Sequence, residues 1–234
     1  MKAKRAKKSR KLMQQYALTF GLREPYQVLL DAAIIREAAR CKMHLGNMLA
    51  STLQGAIKPM ITQCCIRHLY SLPTTTEAER REKEICIEVA KAAERRRCGH
   101  HELETPLGTG ECLREVVDPK GAGVNRHRYV VACQDGEVRR AMRRDVVGVP
   151  LVYVHRSVMI LEPMAGRSEE VREAGEKGKM RAGLVGRREK RKREEDGDGG
   201  DDGGAAGDGA VAKKRKVKGP KGPNPLSVKK AKKD

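Results

Sequence analysis

The chain has 234 residues, with 50 Lys and Arg against 31 Asp and Glu, a net charge of +19 and 38% hydrophobic residues; that bounds it to one domain of about 150 to 170 residues with charged extensions. Residues 1–11 and 187–234 carry +7 each and the body between them +5, a distribution that suits arms neutralising phosphates rather than an intrinsically basic fold. No apolar stretch approaches the roughly 20 residues of a membrane span, no export signal follows the charged start, the seven cysteines are an odd set, and one Phe with no Trp leaves little for base stacking; a membrane partner, a disulfide framework and an RRM-like sheet are disfavoured, and a soluble intracellular nucleic-acid-binding protein is expected.

Residues 1–24 read as a basic arm, with Lys2, Lys4, Arg5, Lys7, Lys8, Arg10 and Lys11 followed by Leu12, Met13, Tyr16 and Phe20 at helical spacing. After Pro25, the run Val28 to Leu30 ends at Asp31 and gives way to the helix formers Ala32 to Arg40. This order of strand, turn and helix recurs. Met60 to Thr62 lead into Gln63 and a helix over Cys64 to Tyr70; Tyr129 to Ala132 lead into Cys133, Gln134, Asp135 and a helix over Glu137 to Arg144. The stretch Glu77 to Arg97 reads as one long charged helix with Ile85, Val89 and Ala92 or Ala93 on its apolar side, and Val149 to Val154 and Val158 to Leu161 read as two further strands. Strands alternating with helices predict an α/β domain over residues 25–165 with a central, mainly parallel sheet. Residues 166–234, alternating charge blocks and then Gly and Asp, are expected to be a disordered tail; within it Lys213 to Val217 read as a nuclear localisation signal and Gly219 to Lys233 as a docking segment.

Asp31, Gln63 and Asp135 each follow an apolar run, and in a parallel sheet such positions converge at the carboxyl ends of the strands. Glu111 would join them from the start of a helix near Gly110, with Glu137 facing the same cleft. Three or four carboxylates around one or two Mg²⁺ or Mn²⁺ ions activate water for phosphodiester cleavage, but Gln63 contributes only a neutral carbonyl. The competing reading is that the acids cap the helices that follow them.

Cys98, His100 and Cys112 share a loop-rich segment and Cys64 opens a helix. Four ligands of this kind satisfy tetrahedral Zn²⁺, although the spacing is not that of a familiar finger, and Cys65 or His101 can replace a neighbour. Cys41, Cys65 and Cys133 read as core packing, and Cys86 as a helix position. Phosphate contacts from the body are expected from Arg95, Arg96, Arg97, Arg126, His127 and Arg128, with the arm supplying the rest.

The segments Tyr26-Gln-Val-Leu-Leu-Asp, Met60-Ile-Thr-Gln-Cys-Cys, Arg97-Cys-Gly-His, Glu111-Cys-Leu, Tyr129-Val-Val-Ala-Cys-Gln-Asp, Val147-Gly-Val-Pro-Leu, Arg156-Ser-Val-Met-Ile-Leu-Glu-Pro and the tail Gly222-Pro-Asn-Pro-Leu-Ser-Val-Lys-Lys resemble the PIN-domain rRNA-processing proteins of the small-subunit processome, the Fcf/Utp group, and most closely its Utp branch. The resemblance implies a PIN fold with a zinc-stapled loop held by Cys64, Cys98, His100 and Cys112, the first of each ambiguous pair. It also implies a nuclear, nucleolar RNA-binding assembly factor in early 18S rRNA maturation. Its partners would be pre-rRNA, an H/ACA small nucleolar RNA whose exit it assists, and processome proteins. Catalytic Fcf relatives carry an acid where this chain has Gln63, and Glu111 is a longer replacement for an Asp. A degenerate nuclease site is therefore expected, with Mg²⁺ or Mn²⁺ relevant only if Asp31, Glu111 and Asp135 still cut RNA.

Overall fold

Buried strands whose side chains point alternately up and down divide the core between the two faces of one sheet. On β1 (Tyr26–Leu30), Val28 and Leu30 pack on one face and Leu29 on the other; on β4 (Val130–Ala132), Val130 and Ala132 share the first face and Val131 the second. The computed structural model describes residues 2–196, of which those up to Val185 belong to one compact unit.

The sheet has six strands in the order β3-β2-β1-β4-β5-β6, with β2 Ile57–Thr62, β3 Glu94–Arg96, β5 Leu151–His155 and β6 Val158–Leu161. All neighbours are parallel except β5 and β6, which form a hairpin. The first face is covered by α1 (Lys2–Phe20), α2 (Ala32–Arg40), α3 (Leu45–Leu53), α4 (Gln63–Tyr70) and α5 (Glu77–Ala92); the second by α6 (Thr109–Val117) and α7 (Gly136–Asp145). This is the expected α/β architecture with a mainly parallel sheet flanked by helices. Among the described residues no helix is long and apolar enough to cross a membrane.

Four local expectations differ from what is found. The basic arm is helix α1, and its second half contributes Met13 and Tyr16 to the first core, so the boundary at residue 24 cuts through one packing unit. Phe20 at its end packs where Gly148 lacks a side chain: a Cβ at Gly148, whose φ is +80°, would lie 2.7 Å from the Phe20 ring. The long helix expected over Glu77 to Arg97 stops at Ala92, and Glu94 to Arg96 cross over to pair with β2, Ile61 against Arg95 and Thr62 against Arg96. Its core side runs through Cys86 and Ala90 while Ile85 is exposed. Helix α3, with Leu45, Leu49 and Leu53 buried, was not anticipated. Finally, the tail expected to lack structure begins as helix α8 (Gly166–Asp196), laced by Arg172 with Glu176 and Glu173 with Lys177 one turn apart, and Ser168 at its start is buried and accepts from the Gly148 N–H at 3.0 Å. The expected localisation signal and docking segment lie outside the described residues.

Candidate RNA-binding face and metal centre

Strand order reverses at β1, whose chain continues to β2 on one side while β4 lies on the other; in open α/β sheets ligands bind beyond the carboxyl ends of the strands at such a switch point. Asp31 stands at the end of β1. Its carboxylate is 1% exposed, accepting from the Cys133 thiol at 3.3 Å and the Gln134 N–H at 3.4 Å. Burial pushes its pKa up, opposed by hydrogen bonding from Ala33, Cys133 and Gln134, with the Asp135 carboxylate adding a smaller upward push. Cys133, expected only to pack, thus holds an acid in place, and burial drives its own thiol pKa well above the ordinary value. Asp135 caps α7, accepting from the Glu137 N–H at 2.8 Å, and Asp31 occupies the corresponding cap position of α2. Asp135 therefore caps its helix as the competing reading has it, whereas the Asp31 side chain makes no capping hydrogen bond of ordinary geometry to α2.

Glu111, in the first turn of α6, lines a cavity of about 310 Å³ together with Glu137, Arg114 and Asp145; Glu137 pairs with Arg140 at 2.7 Å. Gln63 opens α4 and lines a different cavity, of about 650 Å³, with Arg95, Arg97, Gly99 and His101. Asp31 and Asp135 thus stand together at the ends of β1 and β4, Glu137 follows Asp135 on α7 and shares a cavity with Glu111, and Gln63 shares another with arginines.

The Cys and His residues, in contrast, converge. The ligand atoms of Cys64, Cys98, His100 and Cys112 lie within 4.8 Å of one another, the one such group of Cys, His, Asp or Glu side chains among the described residues. Cys64 Sγ is 3.8 Å from Cys98 Sγ and 3.6 Å from His100 Nδ1. A tetrahedral ion with metal–sulfur bonds near 2.3 Å and metal–nitrogen bonds near 2.0 Å sets sulfur–sulfur edges at about 3.8 Å and sulfur–nitrogen edges at about 3.5 Å, so the set can hold a metal ion. Cys98 has its thiol pKa lowered to about 7: burial acts to raise it, and hydrogen bonding from the His100 and Cys64 backbone and from the neighbouring thiols outweighs that. Cys65 faces the opposite core and His101 lies outside the group.

Two further residues that sequence reasoning missed hold the same loop. Arg67 donates to the carbonyls of Leu103, at 2.7 Å, and Glu104, while His68 Nε2 lies 2.9 Å from the Leu107 carbonyl. Their position on α4, one turn beyond Cys64, carried no signal, because an Arg and a His on a helix read as solvated surface.

The basic residues present a divided picture. Lys4, Arg5, Lys7, Lys8, Arg10 and Lys11 are exposed along α1, as are Arg126, His127 and Arg128 in the loop before β4; Lys2 begins α1. That loop is braced by buried Asn125, whose amide donates to the carbonyls of Tyr129 and Gly148 and accepts from the Tyr129 N–H. Arg95 and Arg97, two residues apart, are exposed and share a cavity. Arg96 turns the other way, half-buried, its guanidinium 5.9 Å from the centre of the Tyr129 ring.

Comparison with known proteins agrees with this architecture. The Fcf1 family model matches residues 51–163, and the UTP23 sensor motif matches residues 214–233, outside those described. The rRNA-processing protein utp23 of Schizosaccharomyces pombe is 45% identical over 240 residues, covering 98% of this chain and 88% of that protein. The solved PIN domain endonuclease Utp24 superposes with a TM-score of 0.50 at 22% identity, covering 62% of this chain and 96% of that one; at that identity the likeness shows the fold alone.

Proposed function

This chain belongs to the Fcf1 family of PIN-domain proteins, with a UTP23 sensor motif besides, and from that premise we propose that it is an RNA-binding rRNA-processing factor of small-ribosomal-subunit assembly. The observation that carries this reading is the 45% identity to an rRNA-processing protein along 98% of the chain. Its partners in this reading are pre-rRNA, an H/ACA small nucleolar RNA and processome proteins, and its place is the nucleolus. RNA is gripped through phosphates, by α1 and by the arginines beside the loop from Cys98 to Cys112.

The same reading makes the PIN domain a binder rather than a nuclease. Gln63 contributes no charge, Asp31 is buried against Cys133, and Glu111 lines a cavity with Glu137 and with Arg114 and Asp145, which pair with each other. Holding two divalent ions requires several ionised carboxylates in one place. The Cys64, Cys98, His100 and Cys112 set holds Zn²⁺, whose role is to fix the Arg97 to Cys112 segment, because metal binding contributes folding free energy to a loop with little core of its own.

Purified protein incubated with Mn²⁺ and single-stranded RNA tests the reading. Tight binding without cleavage is the expected result. Cleavage that Asp135→Asn abolishes would establish an active metal-dependent endoribonuclease instead.

A further inference from the structure

The two edges of the sheet are built differently. At one edge β3 reads Glu94-Arg95-Arg96, and charged side chains of that kind keep an open edge from recruiting another strand. At the other, β6 reads Val158-Met159-Ile160-Leu161, with no charge and no proline, and among the described residues it pairs with β5 alone. The Glu162 N–H donates to the Leu151 carbonyl at 2.8 Å. Bonded pairs alternate along an antiparallel ladder, so Ile160 and Val158 also turn their backbone groups toward β5, while Met159 and Leu161 turn theirs outward. A hollow of about 740 Å³ runs along this edge. All five residues from Ser157 to Leu161 line it, and because successive side chains of a strand point to opposite faces, one hollow meets them all only from the side. Its far wall is Leu12 of α1 and Met48 of α3, both half-buried, and its rim carries the exposed Arg5 and Lys8. No acidic side chain among the described residues lines it.

We infer that the β6 edge is a docking site for an extended, acidic segment of a partner protein, which adds to the sheet as a further strand. Its backbone pairs with the outward N–H and C=O groups of Met159 and Leu161, its apolar side chains rest against Leu12 and Met48, and its Asp or Glu side chains meet Arg5 and Lys8. In strand addition the backbone ladder supplies affinity, and the flanking pockets and charges select the sequence. A second copy of this chain fits poorly, because it would set Arg5 and Lys8 against their own copies. RNA fits poorly as well, since it offers no ladder of alternating N–H and C=O groups to an open strand. The site concerns assembly with protein and stands or falls independently of RNA binding.

The test selects a displayed library of random peptides, each long enough to span β6, on the full chain, and titrates the enriched sequences as labelled synthetic peptides. Enriched sequences are expected to alternate apolar residues and to carry Asp or Glu, and in NMR spectra of the full chain they should move the Met159 and Leu161 amide signals. As a check that needs no variant of the protein, N-methylating the peptide at every second residue should cost about tenfold in affinity per group, and methylating the residues between should cost little, because an added strand turns only alternate N–H groups toward the edge. Arg5→Glu with Lys8→Glu, both at exposed positions, should weaken the peptide about tenfold and flatten its salt dependence. A selection that enriches no peptide, N-methylation without a period of two, or affinity unmoved by the charge reversal overturns the docking site. So do β6 amide signals that shift with single-stranded RNA and with none of the selected peptides.

Discussion

His100 Nε2 lies 2.6 Å from Glu115 Oε2, while Nδ1, on the other side of the ring, faces Cys64 Sγ at 3.6 Å. A carboxylate that receives the outer N–H of an imidazole fixes its tautomer and makes the inner nitrogen a better metal ligand, an effect of about 10- to 100-fold in affinity. Glu115 sits on α6 one turn after Cys112, so one helix supplies both a ligand and the partner of another. With its side chain 61% exposed, Glu115→Gln should weaken metal binding at the lower end of that range, read by competition with a zinc indicator. Cys98→Ser should lose the metal and weaken RNA binding. Equal affinity in Glu115→Gln would remove the carboxylate from the site, and unchanged metal content in purified Cys98→Ser would remove the cysteine.

What the sequence made legible and what it hid follow from how far each signal reaches along the chain. Asp31, Gln63 and Asp135 could be placed at strand ends because each closes a short apolar run before a helix-forming stretch. Strand β3 could not, since Glu94, Arg95 and Arg96 continue the charged pattern of α5 and become a strand only by pairing with β2. The grouping of Cys64 with Cys98, His100 and Cys112 was suggested by residue type and the loop-rich segment, but the spacing fits no familiar zinc finger, and family resemblance was needed to choose Cys64 over Cys65 and His100 over His101. Cys133 carried no sign of its bond to Asp31, 102 residues away. That Glu111 and Glu137 share one cavity depends on the close packing of α6 on α7, where a Cβ at Gly110 would lie 3.0 Å from Val138, and no local pattern encodes that contact.

Asp31 should make stability depend on pH. Its carboxyl pKa is raised first by burial and then, less, by Asp135, so the folded state binds the proton more tightly than the unfolded chain does. The stabilising contribution is complete below the ordinary carboxyl value, about pH 4, and is lost as pH rises through the raised folded value. Asp31→Asn should remove that slope and unfold at a higher urea concentration than wild type at neutral pH. Urea midpoints measured from acid to neutral pH check this; parallel curves for the two proteins would mean that burial of the charge costs nothing.

Helix α1 should set the salt sensitivity of RNA binding. Lys4, Lys7 and Lys11 are exposed and spaced for one face of the helix, whereas Met13 and Tyr16 anchor its other end in the core. Replacing these three lysines by Gln should leave the thermal unfolding midpoint unchanged and lower the slope of log affinity against log salt by about 2, since each phosphate contact on a single strand contributes about 0.7. A slope identical to wild type would take α1 out of the RNA contact.

Arg139 and Glu162 form a buried ion pair beside the turn that carries Asp135. Arg139 Nε donates to Glu162 Oε1 at 2.7 Å, with side chains only 15% and 8% exposed, and Arg143 approaches the second oxygen at 3.2 Å without hydrogen-bond alignment. The same guanidinium lies over the Tyr153 ring, 4.2 Å from its centre, and donates to the carbonyls of Cys133 and Gln134 at 3.1 and 2.7 Å. It therefore ties the turn carrying Asp135 to the segment after β6. Glu162→Ala leaves this cation without its partner and should cost about 3–5 kcal/mol, the usual penalty for breaking a buried pair from one side. Arg139→Lys should fail to rescue the turn, because an ammonium cannot span the carboxylate and both carbonyls in a fixed plane. The double variant Arg139→Met with Glu162→Leu, which buries no charge, should recover part of the loss. Denaturant midpoints for the three proteins decide the matter: single variants as stable as wild type would show that the pair contributes nothing to holding the turn.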